Sequence, residues 1–222
     1  ILQDACTCCN VSLAADTATF DNSDLTVESR PDDSALTFRQ IIQWVAQISC
    51  KYARINNDGQ LTLKWYDTSL LGLSASDMRN NNRIVKIDTM KSGSSVETDD
   101  VVVTGVRVTE ESETESSGKT ETIYQYGADG YVLEITGNKL IQSGNGSKIA
   151  ESVGKKLTGL QFRPLNVICQ SDPSTEAGDI GLVIDRKNNM YRTIITGVQY
   201  NGGGTQTITS SAESPERLSS TR

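Results

Sequence analysis

The stretch Thr37-Phe38-Arg39-Gln40-Ile41-Ile42-Gln43-Trp44-Val45-Ala46-Gln47-Ile48-Ser49 leads through Cys50-Lys51 into Tyr52-Ala53-Arg54-Ile55-Asn56-Asn57-Asp58-Gly59-Gln60-Leu61-Thr62-Leu63-Lys64-Trp65. Thr37 can accept from the first orphan amides of a helix, and Gln40 three residues later completes a capping box. Phe38, Ile41, Ile42, Val45 and Ile48 then recur at helical spacing, one apolar stripe turned to a core. The spacing predicts a helix over about Phe38 to Ser49. Asp58-Gly59 supplies the positive φ of a tight turn, so the residues on either side predict a hairpin. Leu61, Leu63 and Trp65 share one of its faces. Helix and hairpin together make one compact α+β unit.

Outward from this unit the chain reads mostly as strand. Ile1 to Cys9 has helical spacing at Leu2, Ala5, Cys6 and Cys9, and Val11 to Val27 reads as extended with a turn at Asp21-Asn22-Ser23-Asp24. Leu70 to Asn82 lacks a period and reads as a linker. Strands are expected at Ile84–Met90, Val101–Thr109, Glu121–Tyr126 and Tyr131–Ile135, with an acidic Ser/Glu/Thr loop at Glu110–Lys119 as a mobile hairpin tip. Ile149, Val153, Lys156 and Leu157 predict a second helix over Ser147 to Leu160. Further strands are expected at Leu165–Gln170, Ile180–Asp185, Tyr191–Tyr200 and Thr205–Ser210, before a polar tail from Ser211. The fold class is therefore α+β, predominantly β, with small β-barrel or sheet domains and one helix-plus-hairpin unit. The expected division is 1–75, 76–146 and 147–222.

Composition excludes several functions. The 222 residues contain no histidine, which removes Ser-His-Asp and Cys-His catalysis, histidine-bearing zinc sites and histidine pH switching. The net charge of −7 disfavours sequence-specific nucleic-acid binding. Between Glu97 and Glu121 eight acids stand against Arg107 and Lys119, so six of the seven net negative charges fall in one stretch. No apolar run approaches a membrane span of about 20 residues, and no signal-peptide pattern is present. The chain opens on Ile1 rather than Met, as a processed or truncated piece would.

Each motif with chemical potential also has a structural reading. Cys6, Cys8, Cys9, Cys50 and Cys169 are odd in number and unevenly spaced, which fits reduced thiols and core packing better than a zinc or disulfide framework. Asp58 and Asp179 sit in turn sequences that account for them. Asn10-Val11-Ser12 and Asn145-Gly146-Ser147 match the glycosylation sequon, a motif common by chance. Gly202-Gly203-Gly204 lacks the spacing of a phosphate loop and reads as a turn. These residues give no catalytic, cofactor-binding or metal site, and no cofactor is called for. The chain reads as a non-catalytic module that works by assembly.

Two stretches carry a resemblance to a known family. Leu36–Ala46 followed by Tyr52–Leu63 resembles the aromatic-Arg helix and "ARIN-x-DG-x-L" hairpin of tail-tip (minor structural) proteins of phages and prophages of Gram-positive bacteria. Leu160-Gln161-Phe162-Arg163-Pro164-Leu165, then Ser171-Asp172-Pro173-Ser174-Thr175-Glu176-Ala177-Gly178-Asp179, resembles the end of the same module, and Leu2 to Leu13 its opening helix. The resemblance implies a baseplate-hub-like virion protein made in the bacterial cytoplasm. It implies a homotrimeric ring of β-barrel-like domains closing the tail tube. Its partners would be the distal tail protein on one side and a receptor-binding or wall-degrading extension on the other, with no membrane insertion. The family's first barrel would precede Ile1 and any hydrolase part would follow Arg222, so lytic activity does not carry over to this chain.

The competing reading is a glycan- or wall-binding module of a surface protein, which requires a row of exposed aromatics drawn from Trp44, Trp65, Phe20, Phe38, Phe162 and the tyrosines. A glycosidase requires two facing acids in a cleft, and no pair in the sequence proposes one. For the acidic loop the tail reading predicts a mobile projection toward a DNA channel or distal opening, where phosphate must be repelled. The alternative is a solvated outer loop.

Overall fold

The computed structural model describes residues 1–17, 19–28, 31, 36–114, 118–142 and 144–211. They form two compact units, each assembled from separated segments. Unit 1 takes Ile1–Trp65 and Thr104–Thr158, and unit 2 takes Tyr66–Val103 and the chain from Gly159 onward. The expected division into three consecutive pieces differs from this interleaving. Local patterns report elements, whereas grouping depends on long-range pairing that periodicity does not encode.

In unit 1, α1 (Leu2–Cys8) and α2 (Phe38–Ile48) pack with the hairpin of β1 (Tyr52–Ile55) and β2 (Leu61–Lys64). The capping box forms as expected: Gln40 N donates to Thr37 Oγ1 at 3.3 Å, and Thr37 N donates to Gln40 Oε1 at 3.0 Å. Leu2, Cys6, Val45, Ala46, Leu61, Leu63 and Leu140 form the core. Each large aliphatic side chain buried this way contributes about 1.5–3 kcal/mol. Phe38, at the head of the stripe, is instead exposed. Val11–Val27 contains no strand among its described residues. It holds a 3-10 turn at Ala15–Thr17, and Leu13 bridges to Leu61.

Both helices end in the same way. After α1, Asn10 lies in the left-handed region (φ 54°), with Val11 N donating to Cys6 O and Asn10 N to Thr7 O. After α2, Cys50 takes that role (φ 52°), with Lys51 N donating to Ala46 O and Cys50 N to Gln47 O. These paired bonds close a Schellman motif and satisfy carbonyls the helix leaves open.

The remainder of unit 1 is the sheet β6-β5-β7 with a helix on one face. Its strands are β5 (Val101–Thr114, entering unit 1 at Thr104), β6 (Gly118–Gly127) and β7 (Tyr131–Ile135). The helix is α4 (Gly146–Leu157), shorter than the expected Ser147–Leu160 because Thr158 is already extended and Gly159 turns to φ 88°. β5 and β6 extend to Thr114 and Gly118, so most of the expected loop is ladder. Only its tip, 115–117, lies outside the described residues.

Unit 2 contains two further sheets. In one, β10 (Ile180–Ile184) pairs parallel to β3 (Val85–Ile87) and antiparallel to β11 (Met190–Ile194). In the other, β13 (Thr205–Ser210) lies between β12 (Gly197–Asn201) and β9 (Leu165–Gln170), and β4 (Ser95–Val96) completes the far edge. Ile87, Val183 and Ile195 meet Leu165, Val167, Cys169 and Ile208 in a shared core. Of the expected β-barrel or sheet domains, the described residues form open sheets, with no closed barrel among them. The expected strand Tyr191–Tyr200 is two strands in different sheets, broken around Ile195-Thr196. The expected linker Leu70–Asn82 folds as a 3-10 helix (Thr68–Gly72) and α3 (Ala75–Asn80), the latter capped by Ser74. Leu70, Leu71 and Met78 are buried, anchors too few to make a visible period. Residues 161–162 (β8) pair with Val101 and Val102 at the start of β5.

Candidate functional site

The β5–β6 hairpin carries Glu110, Glu111, Glu113 and Glu121 of the acidic stretch, and its register sorts them. Val106, Val108 and Glu110 face one side of β5, opposite Tyr126, Tyr124 and Thr122 of β6. That side receives α4. A Cβ on Gly146 would come within 3.0 Å of the Tyr124 ring, and one on Gly154 would do the same to Tyr126. With Ala150 between them, these glycines leave a flat helix face on which two tyrosines lie. The sequence period marked Ile149, Val153 and Leu157 but missed the small residues at 146, 150 and 154. Their four-residue spacing was the available signal.

Glu110 is the acid that the sequence misplaced. It is only 5% exposed. Its Oε2 accepts from Gly146 N at 2.8 Å and its Oε1 from Gly144 N at 3.1 Å. The N-cap residue Asn145 makes no side-chain cap bond, so a carboxylate from the sheet satisfies the helix start instead. The positive end of the helix dipole further favours an anion there. Glu110 is thus a structural clamp between hairpin and helix, not part of a solvated tip.

The remaining acids divide. Glu97, Asp99 and Asp100 belong to unit 2, where Asp100 binds Arg163 and accepts from Gln161 Nε2 at 2.7 Å. Arg163 also donates to the carbonyls of Glu97 and Thr98 and stacks over the Tyr191 ring at 5.1 Å. Toward the hairpin tip, Glu111 stands directly across from Glu121, and Glu113 from Lys119. Directly opposed like charges destabilise a ladder. Among the described pairs of the ladder, Glu111 and Glu121 are the two acids set directly opposite each other. Nearer the base, Arg107 bonds Glu134 at 2.8 Å and Gln125 at 3.0 Å, so that part of the sheet is electrostatically satisfied.

The other singled-out residues are accounted for locally. Cys6, Cys50 and Cys169 are buried, and burial pushes the Cys50 thiol up to about 12. Cys8 and Cys9 are exposed, Cys9 because it caps α1 rather than lying on its apolar face. Among the described residues no three histidine, cysteine or acidic side chains gather as metal ligands. In the β1–β2 turn it is Asn56 Oδ1, not Asp58, that accepts from the backbone, at Asp58 N and Gln60 N. Asp179 Oδ2 accepts from Glu176 N at 2.8 Å within its turn. Asn10 and Asn145 are helix-terminal residues, and Gly203 and Gly204, at positive φ, turn β12 into β13. No described helix is long and apolar enough to cross a membrane.

No family model matches the chain, and no curated protein matches it in sequence. Among solved structures it is similar to the tail protein from Neisseria meningitidis MC58, at 11% identity and a TM-score of 0.50. The match covers 94% of this chain and 63% of that one, so this chain spans under two thirds of its length. Across nearly all its residues, the chain shares the fold of that tail protein.

Proposed function

We propose that the chain is a non-enzymatic structural component of a phage-type tail, a hub-like module of the tail tip that assembles as a trimeric ring. The observation that carries this reading is the fold likeness to a tail protein over 94% of the chain. The absence of histidine from the sequence supports a role without catalysis. Its partners would be further copies of itself, the distal tail protein and other tail proteins, with neither specific nucleic-acid binding nor membrane insertion. Light scattering tests the ring directly. The expected mass is three times that of the 24.1 kDa chain, and a monomer persisting at high concentration would refute trimer assembly.

Within this reading the opposed Glu111 and Glu121 border the DNA channel, where a negative edge repels phosphate. Replacing both by Gln, with Glu110 untouched, is expected to slow DNA ejection from assembled particles without loss of stability. Unchanged ejection would leave the hairpin tip a solvated edge. The glycan-binding alternative is disfavoured by exposure. Of the large side chains that are exposed among the described residues, the aromatic ones are Phe38 and Tyr200, which belong to different units.

A further inference from the structure

The cysteine cluster has no part in the function proposed above, and its placement gives it chemistry of its own. Cys6 and Cys9 stand three residues apart where α1 runs out, with the helical bond from Cys9 N to Ala5 O still made at 3.0 Å. Residues three apart on an α-helix have Cα atoms about 5 Å apart, from a 1.5 Å rise and a 2.3 Å radius. That lies inside the window of roughly 4.4–6.8 Å that disulfides occupy. Cys8 is excluded as the partner of Cys6, because two helical steps turn it about 200° away.

We propose that Cys6 and Cys9 are an oxidisable dithiol pair that closes to an intrachain disulfide at the end of α1, Cys9 being the attacking thiol and Cys6 the resolving one. The division of roles follows from exposure. Cys9 is open to solvent, whereas Cys6 is 1% exposed within the core formed with Leu2, Val45 and Leu61. Burial, and secondarily the neighbouring Cys9, push the Cys6 thiol above its usual range, which disfavours Cys6 as the attacking thiolate. Helical Cβ atoms at this spacing are about 5–6 Å apart, against roughly 3.5–4.5 Å in a disulfide. The final turn must therefore tighten, and Cys9, the last residue before the left-handed Asn10, is where it can give.

The oxidant is a small disulfide, and the exchange balances. The Cys9 thiolate attacks one sulfur of the small disulfide, releasing the other half as a thiol. Cys6 then gives up its proton and attacks Cys9 Sγ, releasing the second small thiol. The protein loses two hydrogens and the small disulfide gains them. The bond would lock the last turn of α1, which leads directly into the segment whose Ser12 carbonyl accepts from Leu61 N at 2.9 Å.

The test uses the full chain incubated with oxidised glutathione, followed by denaturing alkylation and peptide mapping. Wild type is expected to lose two hydrogens through a Cys6–Cys9 bond, and Cys8→Ala to form the same bond. Cys6→Ala should instead retain glutathione on Cys9, because the resolving thiol is gone. A Cys8–Cys9 bond, stable mixed disulfides alone in wild type, or linkage only between chains would overturn the proposal. Should Cys6→Ala fail to fold, Cys8→Ala decides alone, since loss of the bond in that variant refutes the pair.

Discussion

Neighbouring glutamates on β5 should respond oppositely to the same substitution. Glu110→Gln keeps the size of the side chain but can present only one acceptor to the amides of Gly144 and Gly146, and its new NH2 meets the other as donor against donor. Hydrogen bonds to a charged group contribute about 1.5–3 kcal/mol, and the favourable dipole at the helix start about 0.3–1 kcal/mol more. Losing one bond and the charge together should cost about 2–3 kcal/mol. Glu110→Ala leaves both amides unpaired and should cost about 3–5 kcal/mol. Glu111→Gln removes repulsion across the ladder from Glu121 and should be neutral or stabilising by about 0.2–1 kcal/mol. Urea unfolding followed by circular dichroism reads all three, and amide exchange at Gly146 locates the effect at the start of α4. Equal effects of Gln at 110 and 111, or unchanged exchange at Gly146, would refute the clamp.

Gly154→Ala should destabilise although alanine favours helix by about 1 kcal/mol, because its methyl group lands on the Tyr126 ring and overpacking costs about 1–3 kcal/mol. A thermal melt that rises for this variant would show that helix and sheet can separate freely. The raised Cys50 thiol predicts alkaline sensitivity. Its folded value near 12 exceeds the ordinary 9.0, so its stabilising effect is intact below pH 9 and is lost as pH rises from 9 toward 12, at about 1.4 kcal/mol per unit. Melts of wild type and Cys50→Ala between pH 8 and about 11 should therefore converge. In unit 2, Arg163→Ala strips the partner from Asp100 and the donors from the Glu97 and Thr98 carbonyls. Because the pair is partly solvated, the expected cost is about 2–3 kcal/mol rather than the full 3–5 of a buried one. Hydrogen exchange should localise that loss to residues 97–103.

What the sequence revealed was local. Thr37 and Gln40 specify a cap within a single turn of chain, and Asp58-Gly59 a turn within two residues, so both were legible. Leu165–Gln170 and Thr205–Ser210 were legible because one face of each is buried, which leaves an alternating pattern. β10 is buried throughout, Ile180 to Ile184, and such a run signals a strand without saying what covers it. α3 was hidden because a six-residue helix held by Met78 offers too few turns for a stripe to emerge. Cys50 conceals a helix end: a left-handed residue is usually signalled by Gly or Asn, and here a cysteine occupies it.

The acidic stretch shows why charge counted along a chain misleads about function. Six net negative charges fall between Glu97 and Glu121 in sequence, yet folding assigns them to different tasks. Asp100 neutralises Arg163 in one unit, and Glu110 neutralises the start of α4 in the other. Nothing near Glu110 in sequence announces this, because its partners lie 34 and 36 residues away. The charge left to oppose itself across the ladder is the pair Glu111 and Glu121. A repulsive pairing kept where Thr or Gln would be more stable is where local stability has been given up, and such conflicts concentrate at functional positions. If the module borders a DNA channel, this pair rather than the whole stretch carries the repulsion. The double Gln substitution must then alter ejection, while Glu110→Gln, which costs stability instead, leaves ejection unchanged in particles that still assemble.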